Sequence, residues 1–145
     1  MKRHIRIDLE YDGTDFRGWQ DQPEGRTVEG TLRETIGKLL GHPVTVYGSG
    51  RTDAGVHAEG QVASFLTDRP IPIENVATAL NGVLPRDISV FSAREVPEHW
   101  SPRHDAVERR YRYVVYTRRN RSAFHGRRSL HFPSKIDLKS MQCAA

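Results

Sequence analysis

The chain has 145 residues, 37% of them hydrophobic and 28% charged, which is typical of a globular domain with its own core. No apolar run approaches the roughly 18 residues of a membrane helix, and no apolar signal region follows the first residues. The single cysteine, Cys143, excludes an internal disulfide framework and a zinc site built on cysteines. We therefore expect a cytoplasmic protein that neither spans a membrane nor is secreted.

Hydrophobic periodicity predicts the elements of the first hundred residues. Residues 4–11 alternate strictly between apolar and polar side chains, which predicts a half-buried strand. Helical spacing predicts one amphipathic helix that begins at Thr27 and ends at Gly41, and a second over residues 73–84. Further strands are predicted over residues 44–47, 61–66 and 88–96.

This order, β-α-β-β-α-β, is that of the ferredoxin-like α+β fold with an antiparallel sheet, which RNA-recognition modules share. Beyond it, alternation predicts a fifth strand over residues 110–117 and a short one over 130–132. A helical pattern begins at Asp137. We expect one α/β domain over residues 1–145, extended by a C-terminal strand and the start of a further helix.

Charge is unevenly distributed along the chain, whose formal net charge is +4. Residues 1–100 carry 11 basic and 15 acidic side chains, whereas residues 101–145 carry 11 basic and 3 acidic ones. A basic C-terminal third is typical of a protein that binds a polyanion such as nucleic acid. A solvated arginine-rich surface explains the charge equally well, so charge alone leaves both interpretations open.

The sequence contains partial matches to several common site motifs, but none of these matches is complete. Asp53 stands where a dinucleotide fingerprint starting at Gly48 needs a small residue, and Trp19 stands where a calcium loop needs a bidentate carboxylate. The seven histidines show no metal-ligand spacing. We therefore expect chemistry without a metal or a cofactor.

The segment over residues 48–57 reads GSGRTDAGVH, and its glycines allow tight turns and close approach of a ligand. Arg51 and Asp53 are two residues apart, so in an extended chain they would project to one side and could pair. An adjacent arginine favours the charged carboxylate, which is a usable nucleophile or base. The alternative is a surface loop in which Asp53 only makes an Asx-type turn, and spacing by itself favours that alternative.

Two other segments, residues 109–116 and 11–20, are rich in aromatic and charged side chains. Residues 109–116 read RRYRYVVY, an alternation that combines aromatic rings with guanidinium groups and would suit base stacking and phosphate contact. The alternative is a core strand, and we expect one of Tyr111 and Tyr113 to face the core. Residues 11–20, YDGTDFRGWQ, indicate only a structured loop after the first strand.

Four motifs occur together in a fixed order: YDGxxFxGWQ at 11–20, GRTDAGVHAxGQ at 50–61, NxxLPxDI at 81–88 and RYRY at 110–113. They resemble the TruA family of tRNA pseudouridine synthases, and the resemblance covers the chain from Ile5 onward. The second motif is long enough to be close to diagnostic.

The resemblance implies a specific activity. Members of this family convert uridine to pseudouridine at positions 38–40 of the tRNA anticodon stem-loop, without cofactor or metal, as homodimers. Asp53 matches the catalytic aspartate, and Arg51 matches the arginine that pairs with it and engages the RNA. Tyr111 matches the tyrosine that packs against the target base. A non-catalytic RNA-recognition module is the alternative, although the strand over 61–66 holds only one aromatic residue, Phe65.

Two departures from the family pattern stand out. In WSPRHDA, residues 100–106, only Arg103 and Ala106 match cleanly. Family chains are nearly twice as long, with a second α/β half that closes the catalytic cleft. The resemblance therefore implies the N-terminal half of such an enzyme, with low or no activity by itself.

Overall fold

In the computed structural model, which describes residues 2–145, the chain divides into a first unit that ends at Arg109 and a second, Arg110–Ala145. The first unit alternates strands and helices in the predicted order β-α-β-β-α-β. A short 3-10 helix, Gly13–Asp15, follows the first strand. The main elements of this unit are β1 (Arg3–Tyr11), α1 (Val28–Leu40), β2 (Val46–Gly48), β3 (Ala58–Thr67), α2 (Ile73–Asn81) and β4 (Ile88–Val96).

The four strands form one antiparallel sheet in the order β2-β3-β1-β4, which confirms the ferredoxin-like α+β prediction. The apolar residues of β1 face the helices, as alternation predicted, because burying one face of a strand is what such a pattern permits. They are Ile5, Ile7, Leu9 and Tyr11. The stripe of α1 that packs in the same core consists of Val28, Leu32, Ile36 and Leu40.

The helix ends follow local side-chain chemistry. The Thr27 hydroxyl accepts a hydrogen bond from the Gly30 N–H, and Gly41 ends α1 in the left-handed conformation at φ 72°. The prediction that α2 reaches residue 84 is wrong, because the helix ends at Asn81. At this end of the helix the Asn81 side chain binds the β4 backbone: it donates to the Val90 carbonyl (2.7 Å) and accepts from the Val90 N–H (2.8 Å).

The second unit contains two short strands and a helix. β5 (Val115–Tyr116) and β6 (Leu130–His131) pair in parallel, and α3 (Leu138–Ala144) begins after Asp137, whose carboxylate caps it. The expected strand over residues 110–117 is therefore mostly wrong. Alternation makes a strand only where a neighbouring backbone supplies hydrogen bonds, and only Val115–Tyr116 has such a neighbour. Among residues 2–145, no helix is long and apolar enough to cross a membrane.

An arginine–aspartate pair joins two loops at one end of the sheet. Arg26 donates from both terminal nitrogens to the Asp87 carboxylate, at 2.5 and 2.8 Å. Its guanidinium carbon lies 4.0 Å from the centre of the Phe16 ring, and the Asp12 N–H donates to the Asp87 carbonyl at 2.9 Å. The hydrogen bond with Arg26 holds the pKa of the Asp87 carboxyl below its ordinary value.

We expect Asp87→Asn to destabilise the protein at pH 7, by no more than about 1 kcal/mol because the pair is partly exposed. A carboxyl with a lowered pKa contributes stability above its unfolded-state pKa and loses it as pH falls through the folded-state pKa. The difference between wild type and Asp87→Asn should therefore shrink below about pH 4. Urea denaturation at pH 7 and pH 3 measures it, and an equal difference at both pH values would contradict this role.

Candidate active site

The 48–57 loop connects β2 with β3 and is held where it leaves the sheet. The Ser49 N–H donates to the Val62 carbonyl at 2.8 Å. The Gln61 side chain, which is buried, binds Gly50 on both sides: its amide nitrogen donates to the Gly50 carbonyl (2.8 Å), and its oxygen accepts from the Gly50 N–H (3.2 Å). The start of the loop is thus fixed on the β3 strand.

The 12–20 loop forms backbone hydrogen bonds with the rest of the 48–57 loop. The Trp19 N–H donates to the Thr52 carbonyl at 2.9 Å, and the Gly55 N–H donates to the Phe16 carbonyl at 3.2 Å. Backbone hydrogen bonds therefore reach both sides of Asp53. Residues 11–20, which the sequence indicated only as a structured loop, form the support of the candidate site.

The far end of the 48–57 loop is attached through His57. Its Nδ1 accepts a hydrogen bond from the Gly13 N–H at 3.0 Å and lies 3.1 Å from a carboxylate oxygen of Asp12. A Cβ on Gly13 would stand 2.0 Å from the Val56 carbonyl oxygen. The two backbones are therefore so close at this point that only glycine fits.

We expect Gly13→Ala to destabilise the protein by about 1–3 kcal/mol, because the new methyl group forces the two loops apart. Gly60→Ala is the matched control, since a Cβ at Gly60 meets no atom within 4 Å. Urea denaturation of both variants measures the difference. Equal stability of the two variants would show that the contact at Gly13 is easily relaxed.

Buried aromatic rings underlie the two loops. Trp19 is almost fully buried, its ring centre lies 6.2 Å from that of Tyr11, and its indole fills the space where Gly48 has no side chain. The Tyr11 hydroxyl lies 2.7 Å from the Thr52 hydroxyl. Burial raises the pKa of Tyr11, against the opposing hydrogen bonds with Thr52 and Gln61, so the phenol stays protonated at neutral pH.

Arg51 and Asp53 lie exposed on the outer side of this supported loop. In the described chain, residues 2–145, no ion pair joins their side chains, so the expected pairing is absent. A turn follows directly after Asp53: the Val56 N–H donates to the Asp53 carbonyl at 3.1 Å, and Gly55 has φ 79°.

Tyr111, the third predicted site residue, lies in the second unit. Its side chain is 81% exposed and that of Tyr113 is 89% exposed. The expectation that one of these two tyrosines faces the core is therefore wrong. Both rings are available for stacking.

No group of three or more histidine, cysteine, aspartate or glutamate side chains within residues 2–145 could hold a metal ion. Tyr11 and Gln61 lie within the family motifs at 11–20 and 50–61, but sequence reasoning assigned neither side chain a role of its own. A signal for the role of Tyr11 was its phenol at a position predicted to be buried, since a buried hydroxyl needs a hydrogen-bond partner. Both side chains act on the loop that carries Asp53.

Fold and loop together define the class: a ferredoxin-like α+β protein that displays an arginine and an aspartate on a loop held at both ends. A family model described as tRNA pseudouridine synthase matches residues 9–105. The chain belongs to this family.

Its relatives include proteins named tRNA pseudouridine synthase A. That of Caldicellulosiruptor saccharolyticus is 46% identical over 97% of this chain and 57% of the relative. That of Caldicellulosiruptor bescii is 44% identical over 98% of this chain and 58% of the relative, and that of Geotalea uraniireducens is 42% identical over 99% and 59%. The chain thus spans less than two thirds of the length of the curated relatives that it matches.

Proposed function

We propose that this chain is the N-terminal catalytic part of a tRNA pseudouridine synthase, with Asp53 as the nucleophile. The observation that carries the proposal is the position of Asp53: exposed, in the family motif, on a loop held by hydrogen bonds on both sides. A nucleophile must meet a bulky substrate and yet keep its geometry, and a supported outward-facing loop satisfies both requirements.

The reaction isomerises one nucleoside. The target uridine of the anticodon stem-loop, at positions 38–40, is extruded from its stack so that its glycosidic bond can be reached. The Asp53 carboxylate attacks either C1′ of the ribose or the base itself. The N1–C1′ bond breaks, the uracil rotates, a C5–C1′ bond forms, and the bond to Asp53 breaks so that the carboxylate is released. C5 then loses its proton and N1 ends protonated, so product and substrate have the same composition and no cofactor or metal is consumed.

Arg51 and Tyr111 serve the substrate in this proposal. Arg51, two residues before the nucleophile, contacts the RNA backbone and favours the ionised carboxylate once RNA brings the two side chains together. The exposed ring of Tyr111 packs against the extruded uracil. A second α/β half, dimerisation and a cytoplasmic location complete the proposal, and we expect this chain alone to turn over slowly or not at all.

The basic C-terminal third supports tRNA as the partner. Six of its arginines follow Glu108 or lie in the loop after β5, and we assign much of the phosphate contact to them: Arg109, Arg110, Arg112, Arg118, Arg119 and Arg121. The exposed tyrosines in the same segment add stacking surfaces.

We expect charge-removing changes at Arg118, Arg119 and Arg121 to flatten the salt dependence of tRNA binding. Each lost phosphate contact should reduce the slope of log K against log salt by about 0.7–0.9. Lys38→Gln, an exposed change on α1, is the control. Binding measured between low and moderate salt tests this, and a slope unchanged from wild type would place the tRNA elsewhere.

A non-catalytic RNA-recognition module is the less favoured candidate. Such a module binds RNA on the sheet face opposite its helices. Here His4 and Ser64, which lie on that face, are buried, and the Arg6 guanidinium covers the Trp100 ring at 5.4 Å. That face is therefore partly closed, whereas the loop with Asp53 is open.

The deciding experiment incubates unmodified tRNA with this chain and with the same chain joined to the C-terminal part of a relative. Pseudouridines are then counted and located by sequencing. Conversion at anticodon-arm uridines in the longer form supports the proposal. Tight binding without conversion in either form would favour the binding module instead.

A further inference from the structure

Thr52, the residue directly before Asp53, is held by the buried side chain of Tyr11, the last residue of β1. The Thr52 hydroxyl lies 2.7 Å from the Tyr11 hydroxyl, and the Thr52 carbonyl accepts from the Trp19 N–H at 2.9 Å. Side chain and main chain of Thr52 are thus both fixed. The backbone on which the Asp53 carboxylate turns therefore has little freedom.

Tyr11 is itself rigid. It ends β1, where it pairs with Ala58 and Ile88 on the two neighbouring strands, and it is only 4% exposed. Its ring packs edge-on to Phe16, with 6.4 Å between the ring centres. A tyrosine has only two side-chain torsions, and close packing on both sides restricts them.

Gln61 extends this support to the other side of Arg51. Its side chain binds both polar groups of Gly50, the residue directly before Arg51. Partly buried hydrogen bonds from Gln61 and from Tyr11 therefore hold Gly50 and Thr52, the residues on either side of Arg51. We refer to Gly50, Gln61, Tyr11 and Thr52 as the polar brace.

We propose that Tyr11 is a positioning residue for the reaction: through Thr52, its hydroxyl holds the Asp53 carboxylate where it can attack, without touching the substrate. This rests on the function proposed above. The distance from the attacking oxygen to the reacting carbon decides the rate, and a misplacement of about 1 Å costs up to about 100-fold. Loss of the brace should lower kcat and leave tRNA binding almost unchanged.

A double-mutant cycle tests the coupling in the form of the enzyme that converts tRNA. Tyr11→Phe and Thr52→Val each remove one hydroxyl with little change of shape, and each should lower kcat about tenfold with KM within about twofold of wild type. The double variant should be no slower than either single one. Thr52→Ser, which keeps the hydroxyl that Thr52→Val removes, should have a kcat close to that of wild type.

Thr31→Val is the matched control, because it also removes a threonine hydroxyl hydrogen bond, to the Thr27 carbonyl at 2.8 Å, but lies in α1. It should leave kcat unchanged although it lowers the free energy of unfolding about as much as Thr52→Val does. If Tyr11→Phe and Thr52→Val keep wild-type kcat, or if their effects multiply in the double variant, the proposal is wrong.

Amide hydrogen exchange gives a readout that does not depend on activity. Tyr11→Phe should speed exchange of residues 51–55 at least about tenfold more than Thr31→Val does. Equal exchange in the two variants would overturn the positioning role. Faster exchange in Tyr11→Phe together with full turnover by Asp53→Asn would instead confirm the brace and show that the proposed nucleophile is wrong.

Discussion

Asp53→Asn should abolish pseudouridine formation while tRNA affinity stays close to that of wild type. The substitution keeps the size of the side chain and removes the negative charge that attacks, so turnover should fall more than about 1,000-fold. Because Asp53 is exposed and its neighbours are held by backbone hydrogen bonds, the loop should keep its conformation. Single-turnover conversion and filter binding of tRNA measure the two quantities.

Asp68→Asn is the control for this experiment, since Asp68 is also an exposed aspartate but follows the far end of β3. It should retain wild-type turnover. An Asp53→Asn enzyme with more than a few per cent of wild-type activity would exclude this residue as the nucleophile. A large loss of tRNA affinity would show that the carboxylate supports binding instead.

Tyr111→Ala should also inactivate the full-length enzyme, whereas Tyr111→Phe should bind tRNA normally. A stacking ring acts through its face, which phenylalanine keeps, and its loss costs about 1–3 kcal/mol per base in single-strand binding. Turnover of Tyr111→Phe should fall only if the hydroxyl moves a proton. Conversion rates and tRNA affinities of both variants test the assignment.

Tyr113→Ala is the matched control, because this ring is equally exposed and only two residues away. It should keep most of the turnover. Wild-type turnover by Tyr111→Ala would mean that Tyr111 does not pack against the target base. Full activity of the 145-residue chain alone would show that a second half is dispensable.

Period-based reasoning predicted the fold well wherever one face of an element is buried. The alternation that ends at Tyr11 and the helical spacing from Thr27 to Gly41 both correspond to real elements, because burial imposes those periods. Residues 111–114 also alternate, but they lie outside any strand. Pattern alone could not reveal that the neighbouring backbone was missing.

The candidate site was less predictable than the fold. Glycines and charge identified the 48–57 loop, but its support depends on contacts such as that between Tyr11 and Thr52, which are 41 residues apart. Several of these contacts join backbone atoms, which all residues share, so side-chain identity carries little information about them. The expected pairing of Arg51 with Asp53 is absent because both side chains are exposed, and holding two exposed side chains in one geometry costs conformational entropy.

The support of the 48–57 loop by the 12–20 loop also limits how this site could be moved to another scaffold. A graft of residues 48–57 alone would lose the partners of Thr52, Gly55 and His57. A working transplant would need residues 11–20 and Gln61 as well, together with the antiparallel strand pair that sets their spacing. The smallest portable unit of this site is therefore two segments and a strand pair. A chimera of two distant relatives with its crossover point between residues 20 and 48 would combine a 12–20 loop and a 48–57 loop that do not fit each other.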